Sequence, residues 1–365
     1  MNDERWMQEA LELAKLGLGT VNPNPLVGAI VVKDDKVVGQ GAHRAFGGPH
    51  AEAFALDEAG DRARGATLYV TLEPCCHHGK TPPCTDRILA AGVRRVVYAI
   101  DDPNPQVCGK GAGILRAAGL EVQSGVLKDL AETQNEIFLT FTRRGTPFVE
   151  LKLAMSLDGR IATKTADAKW ITGEAARVEG HRLRRKHAAI AVGAETVLRD
   201  DPRLDVRHVE GKDPVPIVLD SSGRIPLSCR LLKAPSSAVV ASCAMPEAIQ
   251  RQIETTGAHV WRLPAEDGRV SVPALLRRMA DASLDSLLVE GGGEVAASFV
   301  EAGVVDKVSF FYAPILIGGR DAVPGVSGSG IDRIADALRF ERVTTRMLGE
   351  DLYLTGYPQH SPSAG

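Results

Sequence analysis

The residues of this chain that are best suited to chemistry lie between positions 50 and 84. The triplet His50-Ala51-Glu52 is followed by Pro74-Cys75 and then by Cys84. One imidazole and two thiolates give Zn²⁺ three protein ligands and leave a fourth tetrahedral position for water, as catalytic zinc sites require. The order H-x-E, P-C and a further cysteine is that of zinc-dependent nucleobase deaminases. The pattern therefore predicts that His50, Cys75 and Cys84 bind zinc.

Glu52 carries the carboxyl group that such a site needs for acid–base catalysis. Bound zinc lowers the pKa of water from about 15.7 to about 7, so that hydroxide becomes available at neutral pH. A carboxyl two residues after the histidine can move the proton of that water to a ring nitrogen and to the leaving amine, which is typically worth ~10²–10⁴-fold in rate. Two alternatives remain open: a structural Cys/His knuckle, and side chains that never meet.

The segment between Cys75 and Cys84 has eight residues, where the short deaminase pattern has two. It supplies His77 and Lys80 as polar groups that can reach an anionic or heterocyclic substrate. Its own cysteine and histidines also compete as metal ligands. The spacer therefore widens the chemistry of the site without changing the predicted zinc ligands.

The second half of the chain has residues suited to an anionic cofactor. The predicted strand 286–290 runs into Gly291-Gly292-Gly293 and then into a predicted helix at 294–302. Backbone N–H groups at a glycine-rich helix start can bind phosphate, although such a turn is at least as often only a turn. This half contains no G-x-G-x-x-G fingerprint. Guanidinium and carboxylate groups for phosphate and ribose recognition lie in 199–207.

The elements that must position these residues alternate between helix and strand, which predicts a three-layer α/β domain with a partly parallel sheet in the first half. A charged, turn-rich segment at 142–147 separates it from a second α/β series. The predicted elements of the first half are helices 3–17, 50–60 and 84–91 and strands 27–32, 37–42, 67–70 and 95–100. Those of the second half are helices 174–186 and 294–302 and strands 148–154, 188–192, 215–219, 236–242, 286–290 and 308–313. The tail 360–365 is predicted to be disordered.

Composition excludes several classes of protein. The chain has 365 residues, of which 43 are basic and 46 acidic, and its formal net charge of −3 argues against a protein that wraps a polyanion. It has no apolar run of the ~18–20 residues that a membrane span needs, and its first residues do not resemble a signal peptide. Six cysteines in so long a chain do not form a secreted disulfide scaffold. These features predict a soluble, cytoplasmic protein of two domains.

Several longer motifs resemble one family, the bifunctional riboflavin-biosynthesis deaminase–reductases, over about residues 5–355. The long spacer before Cys84 is characteristic of that family. The matching segments are Val21-Asn22-Pro23-Asn24-Pro25-Leu26-Val27-Gly28-Ala29, Gly41-x-His43, His50-Ala51-Glu52, the run from Thr71 to Cys84, Asp101-Asp102-Pro103-Asn104-Pro105 and Gly109-Lys110-Gly111. The resemblance implies a cytidine-deaminase-like α/β/α domain at 1–145, with zinc on His50, Cys75 and Cys84 and Glu52 as proton shuttle. It implies that a pyrimidine ribosylamino phosphate is bound by Asn24, His43, His77, Lys80, Asp102 and Asn104.

The same resemblance implies that residues 146–365 form a dihydrofolate-reductase-like α/β domain that uses NADPH. The implied cofactor contacts are Ala154, Trp170, Thr196, Asp200, Ser222 and the glycines Gly291, Gly292 and Gly293. The implied substrate contacts are Lys152, Arg184, Leu204, Arg207 and Glu290, of which Lys152 and Glu290, with Asp200, are taken as catalytic. One position departs from the family, because Ala168 stands where members often carry serine two residues before the tryptophan.

The sequence therefore predicts a bifunctional enzyme of small-molecule metabolism. Its first domain is predicted to be a hydrolase acting on a cyclic amidine and its second an NADPH-dependent oxidoreductase. We expect a homo-oligomer with no nucleic-acid or membrane partner. Two rivals stay open: a zinc deaminase of nucleic acid with a docking domain, which the scarcity of aromatic residues (5%) disfavours, and a zinc-structured binding protein without turnover.

Overall fold

The first seven helices and strands of the chain follow the predicted order, and four elements that were not predicted come after them. The elements of this half are α1 (Asp3–Ala14), β1 (Gly28–Lys33), β2 (Lys36–Ala42), α2 (Ala51–Ala59), β3 (Thr67–Leu72), α3 (Cys84–Ala91), β4 (Arg95–Ile100), α4 (Lys110–Ala117), β5 (Glu121–Ser124), α5 (Lys128–Gln134) and α6 (Glu136–Arg144). The predicted helix 3–17 ends its α-helical part at Ala14 and finishes as a 3₁₀ turn. The computed structural model describes residues 2–77, 82–104, 107–233 and 237–359.

The five strands form one sheet in the order β2-β1-β3-β4-β5, in which β3, β4 and β5 are parallel and β1 is antiparallel to both its neighbours. Gly28 pairs with Ala42 and Ala29 with Gly41, so Gly28 and Gly41 face opposite sides of the sheet. A Cβ at Gly28 would collide with the backbone of α1, and a Cβ at Gly41 with the carbonyl oxygen of Ala51 in α2. The two helices therefore cover opposite faces, which confirms the three-layer prediction.

The second half builds a larger sheet. Its elements are β6 (Phe148–Ser156), β7 (Arg160–Ala162), α7 (Glu174–Lys186), β8 (Ala189–Gly193), α8 (Ala194–Asp200), β9 (Val215–Leu219), β10 (Val239–Ser242), α9 (Glu247–Glu254), β11 (His259–Arg262), β12 (Ala265–Glu266), β13 (Arg269–Val270), α10 (Val272–Asp281), β14 (Ser286–Val289), α11 (Gly293–Glu301), β15 (Lys307–Ala313), β16 (Val323–Pro324), β17 (Phe340–Leu348) and β18 (Asp351–Pro358). The chain divides into two units, Met1–Gly145 and Thr146–Gly365.

Nine strands of the second unit follow the order β11-β10-β9-β8-β14-β6-β15-β18-β17. The first seven are parallel, and β18 and β17 add an antiparallel edge. Val289 pairs with Leu151 of β6 and Ala191 of β8, so the residue that follows it, Glu290, lies at the level of Lys152. Parallel strands end at one edge of a sheet, which is where ligands of open α/β folds bind.

Apolar side chains cover both faces of this sheet. Val149, Leu151 and Leu153 belong to a core on one face, and Ile190 and Val192 to a core on the other. None of the helices in the described part of the chain is long and apolar enough to cross a membrane. The predicted tail at 360–365 and the predicted site residue Lys80 lie outside the described residues.

Candidate active sites

Three side chains from three separate elements meet in the first unit. His50 is the residue before the first turn of α2, Cys75 follows β3, and Cys84 is the first residue of α3. The His50 Nδ1 atom is 3.2 Å from the Cys84 Sγ atom and 3.5 Å from the Cys75 Sγ atom. All three potential ligand atoms lie within 4.8 Å of one another. The alternative that these side chains never meet is therefore wrong.

The protonation of this trio fits a bound cation. A hydrogen bond from the Cys84 thiol, with a smaller contribution from His50, lowers the pKa of Cys75 to about 4. The same contact with Cys75 raises the pKa of the Cys84 thiol. Two sulfurs thus share one proton beside an imidazole. A divalent ion displaces that proton readily, because thiolates and imidazole are the ligands that Zn²⁺ prefers.

Glu52 lies in the first turn of α2, two residues after His50, and its carboxyl group is almost fully buried. Burial raises the pKa of Glu52, while the nearby His50 opposes this effect. It lines the same cavity as His50 and Cys75. A buried carboxyl beside a metal trio can hold a proton and release it to a ligand in the cavity.

This cavity has a volume of about 230 Å³. Asn24 and His43 form one wall: the Asn24 Nδ2 atom donates to His43 Nε2 at 3.1 Å, and His43 Nδ1 donates to the carbonyl oxygen of Pro49 at 3.0 Å. Burial lowers the pKa of His43, so its imidazole is neutral and its tautomer follows from these two bonds. Three further residues that the sequence predicts, His77, Asp102 and Asn104, line the same cavity.

Two of these residues, His77 and Asp102, can bind a polar ligand. The buried Nδ1 atom of His77 has no hydrogen-bond partner among the described residues. Asp102 accepts the backbone N–H of Asn104 at 2.8 Å, and burial raises the pKa of its carboxyl group. A polar ligand in the cavity would satisfy the Nδ1 atom of His77, because buried polar atoms without partners are costly.

Glu73 is a residue that sequence reasoning missed. Its buried carboxylate accepts the backbone N–H groups of Asp102 at 3.4 Å, Gly109 at 3.0 Å and Ala112 at 3.1 Å. It thereby fixes the loop that carries Asp102 to the end of β3. A carboxylate just before Pro74-Cys75 was the available signal, but its partners lie some thirty residues further along the chain.

A second cavity of about 270 Å³ opens in the second unit. Eight of the predicted residues line it: Lys152, Ala154, Trp170, Arg184, Asp200, Arg207, Glu290 and Gly291. Ala168, at the position where the family often has serine, also lines it. Its neighbour Lys169 places its Nζ atom 3.7 Å from Asp200.

Glu290 is the charged centre of this cavity. The Arg184 guanidinium donates to both of its oxygens, at 2.8 and 3.0 Å, and Lys152 Nζ is 3.5 Å away. Although burial alone would raise the pKa of Glu290, the charges of Arg184 and Lys152 hold it well below its ordinary range. This carboxylate can position cations but cannot donate a proton at neutral pH.

The other predicted residues do not line the cavity. Leu204 is buried in the apolar core, and Ser222 is exposed in the turn after β9. Thr196 lies on α8 beside the glycine loop, since a Cβ at Gly292 would be 3.9 Å from its Oγ1 atom. A Cβ at Gly293 would collide with Ser327, whereas the position at Gly292 is open.

The lining residues that were missed include Arg177 and His181 on α7 and Phe311 on β15. Arg177 lies over the Trp170 ring, 4.9 Å from its centroid. His181 precedes Arg184 by three residues, and positions three apart share a helix face. That spacing was the signal that could have identified it.

Each of the two units matches a known protein family. Residues 147–354 match the family described as "RibD C-terminal domain". Residues 1–100 match the family described as "Cytidine and deoxycytidylate deaminase zinc-binding region".

Curated relatives cover nearly the whole chain. The riboflavin biosynthesis protein RibD of Bacillus amyloliquefaciens is 43% identical over 98% of this chain and 96% of its own length. That of Escherichia coli K12 is 39% identical over 97% and 99%. Among solved structures, Acinetobacter baumannii RibD has a TM-score of 0.88 at 38% identity, with 98% of this chain and 99% of that one covered. A diaminohydroxyphosphoribosylaminopyrimidine deaminase/5-amino-6-(5-phosphoribosylamino)uracil reductase of Thermotoga maritima has a TM-score of 0.86, also at 38% identity, over 98% and 99%.

Proposed function

The chain belongs to the RibD family of bifunctional deaminase–reductases of riboflavin biosynthesis, and on that premise we propose a substrate and a site for each activity. Residues 1–145 deaminate 2,5-diamino-6-ribosylamino-4(3H)-pyrimidinone 5′-phosphate by hydrolysis. Residues 146–365 reduce the ribosyl group of 5-amino-6-(5-phosphoribosylamino)uracil to ribityl with NADPH. The observation that carries the proposal is the convergence of His50, Cys75 and Cys84 beside a cavity that His50, Cys75 and the buried Glu52 line. The name of the Thermotoga maritima relative supports both substrates.

We assign the zinc ligands to His50, Cys75 and Cys84. Zinc bound there supplies a nucleophilic water at neutral pH, because it lowers the pKa of that water to near 7. Glu52 takes one proton of the attacking water to the ring nitrogen and then moves the second, from the new hydroxyl group, to the amine. The C–N bond breaks, ammonia leaves, and the ring carbon keeps the water oxygen. The need for two thiolates also favours a reducing compartment such as the cytoplasm.

Polar groups around the first cavity orient the pyrimidine and its ribose phosphate. Asn24 and the neutral His43 offer a fixed donor and acceptor pattern on one side. His77, Asp102 and Asn104 line the same cavity, and the orphaned Nδ1 atom of His77 lacks only a ligand to complete its hydrogen bonding. Lys80 belongs to this set by resemblance. Together these groups would hold the exocyclic amine of the ring toward Glu52.

When bound in the second unit, NADPH would supply the hydride for C1′ of the opened sugar. We assign its binding to Ala154, Trp170, Thr196, Asp200, the exposed Ser222 outside the cavity and the loop Gly291, Gly292 and Gly293. We assign that of the substrate to Lys152, Arg184, Arg207 and Glu290 and to the backbone of Leu204, whose side chain is buried in the core. The reduction also takes up one proton, and we assign it to Lys152 Nζ. Glu290 lies 3.5 Å from that atom and holds it in place.

A valine at Gly292 tests the cofactor assignment. Gly292 precedes the first turn of α11, and only Thr196 lies within 4 Å of an added Cβ, so a Cβ has room at this position. The branched side chain would block a phosphate from the backbone N–H groups of the loop. We expect G292V to raise the KM for NADPH about tenfold or more, with deamination and Tm unchanged. An unchanged KM for NADPH removes the loop from the cofactor site.

We also propose that the chain forms a homo-oligomer. β17 is an edge strand of the large sheet, and its Val343 and Met347 side chains are 50% and 60% exposed. Exposed edges with apolar side chains are surfaces that proteins usually cover. Light scattering tests the proposal, and a mass of 38.9 kDa, that of one chain, contradicts it.

The central experiment follows ammonia release and NADPH oxidation together on each of the two substrates, before and after removal of zinc with a chelator. We expect chelation to abolish ammonia release from the diaminopyrimidinone and to leave reduction of the deaminated compound unchanged. Restored release on addition of Zn²⁺ is the control. If neither substrate turns over in zinc-loaded protein, the proposal fails and RNA binding becomes the next assay.

A further inference from the structure

His181 is a buried imidazole in the wall of the second cavity that none of the assignments above uses. It lies on α7 with 4% of its surface exposed and lines the cavity beside Arg184. Its Nδ1 atom accepts the backbone N–H of Arg207 at 3.4 Å. Its ring meets the edge of His208, with the centroids 4.6 Å apart. These contacts fix the orientation of the ring.

The same contacts fix its protonation. Burial, together with the positive charges of Arg184 and Arg207, lowers the pKa of His181 to about 4, so the imidazole is neutral at pH 7. A neutral imidazole carries one N–H. Because Nδ1 accepts a hydrogen bond, the proton is on Nε2. No residue in the described part of the chain hydrogen-bonds to Nε2, and this donor is therefore available to a ligand.

The charge of the cavity wall indicates the kind of ligand. Four cationic side chains line it, against two carboxylates, which leaves an excess of two positive charges; the cations are Lys152, Arg177, Arg184 and Arg207, and the carboxylates are Asp200 and Glu290. Such an excess attracts an anion.

Arg184 spends part of its hydrogen-bonding capacity within the protein. It uses Nε and Nη2 on Glu290 and Nη1 on the carbonyl oxygen of Asp205. Its guanidinium contributes charge and keeps one N–H on each of Nη1 and Nη2. Arg207 spends Nη1 on the Asp205 carboxylate and keeps Nε and Nη2. The backbone N–H of Arg207 bonds to His181, and both residues line the same cavity.

We propose that His181 Nε2–H and the Arg207 guanidinium together bind a phosphate monoester. This inference rests on the proposed reductase function. Two sources have this chemistry: the 5′-phosphate of the substrate and the 2′-phosphate of NADPH. The neutral imidazole gives a directed N–H to a phosphate oxygen, and the surplus positive charge stabilises the dianion. His181 is thus a ligand-binding residue of the second site.

Two variants separate this role from mere support of the Arg207 backbone. His181→Asn places an amide oxygen near the position of Nδ1, so it keeps the acceptor for Arg207 and removes the distal donor. His181→Gln places an amide N–H near the position of Nε2 and keeps that donor. We expect H181N to raise the KM for the phosphorylated substrate about 10-fold to 100-fold, as loss of a hydrogen bond to a charged group does. We expect H181Q to stay within about threefold of wild type.

The KM that changes identifies the molecule that carries the bound phosphate. A raised KM for 5-amino-6-(5-phosphoribosylamino)uracil, absent with the dephosphorylated substrate, assigns the 5′-phosphate. A raised KM for NADPH, absent with NADH, assigns the 2′-phosphate. The inference is overturned if H181N behaves as wild type while H181Q is impaired, or if the loss is equal with and without phosphate. Deamination serves as the internal control and should not change.

A measurement on the wild-type protein keeps the test independent of turnover and of folding of the variants. The Nε2–H resonance of His181 is followed by NMR during titration with ribose 5-phosphate, and separately with ribose. A shift with the phosphate alone supports the inference even if no reduction is detected, in which case the proposed function fails by itself. If neither 5′- nor 2′-phosphate compounds, including 2′-phosphoadenosine, move the resonance, the inference is wrong.

Discussion

Glutamine in place of Glu52 lowers the rate of deamination by at least about 100-fold and leaves bound zinc and the reductase activity unchanged. The side chain keeps its shape and its buried place in the first turn of α2. An amide cannot take the proton of the attacking water or return it to the amine. His50, Cys75 and Cys84 are untouched, so metal binding persists. Ammonia release, zinc content and NADPH oxidation are measured on the same preparation.

Glu58 provides a matched control on the same helix. Its exposed carboxylate accepts the backbone N–H of Gln40 at 2.9 Å and lies away from the cavity. We expect Glu58→Gln to deaminate at the wild-type rate. If Glu52→Gln retains activity with its zinc in place, the proton shuttle assigned to Glu52 is wrong, and a zinc-structured protein without this chemistry becomes the better description.

The second large effect is on stability. Glu290→Gln leaves the Arg184 guanidinium, whose side chain is 15% exposed, without its carboxylate. Removing one partner of a buried pair typically costs about 3–5 kcal/mol, because the other charge remains buried and unpaired. We expect the free energy of unfolding of the second unit to fall by about that amount and reduction to be lost. Urea denaturation in a Trp6→Phe background reports this unit through Trp170 and Trp261.

Two controls separate charge from packing. Glu294 pairs with Arg269, and both side chains are more than half exposed. Glu294→Gln should change the unfolding free energy by no more than about 1 kcal/mol. Adding Arg184→Met to Glu290→Gln removes the orphaned charge and should restore most of the lost stability while reduction stays absent. If Glu290→Gln is as stable as wild type, the pair does not stabilise this unit.

The first site could be predicted from the sequence because each of its side chains lies at the start or just after the end of a helix or strand. His50 and Glu52 are two residues apart at a helix start, and a fixed cysteine spacing completes the set. Helix 84–91 and strand 95–100 follow from the same local patterns, and their bounds were predicted correctly. Local spacing carries such information because it determines which side chains share one end of an element.

The second site depends on contacts that sequence cannot specify. Arg184 and Glu290 are 106 positions apart and meet only because β14 lies beside β6 and β8. Leu204, implied by resemblance to contact substrate, points into the core, since residue type alone does not fix side-chain direction. Strands β17 and β18 were not predicted. The residues of β17 are exposed on both faces and lack the alternation that marks a half-buried strand.

The close contact between Gly41 and α2 sets a limit on how this enzyme can vary. The helix carries His50 and Glu52 at its start. It lies this close to the sheet because Gly41 has no side chain. A methyl group added at Gly41 would push α2 outward and move His50 and Glu52 away from Cys75 and Cys84. Position 41 takes no part in the chemistry. The first activity nevertheless restricts the residue allowed there, as it does at the metal ligands.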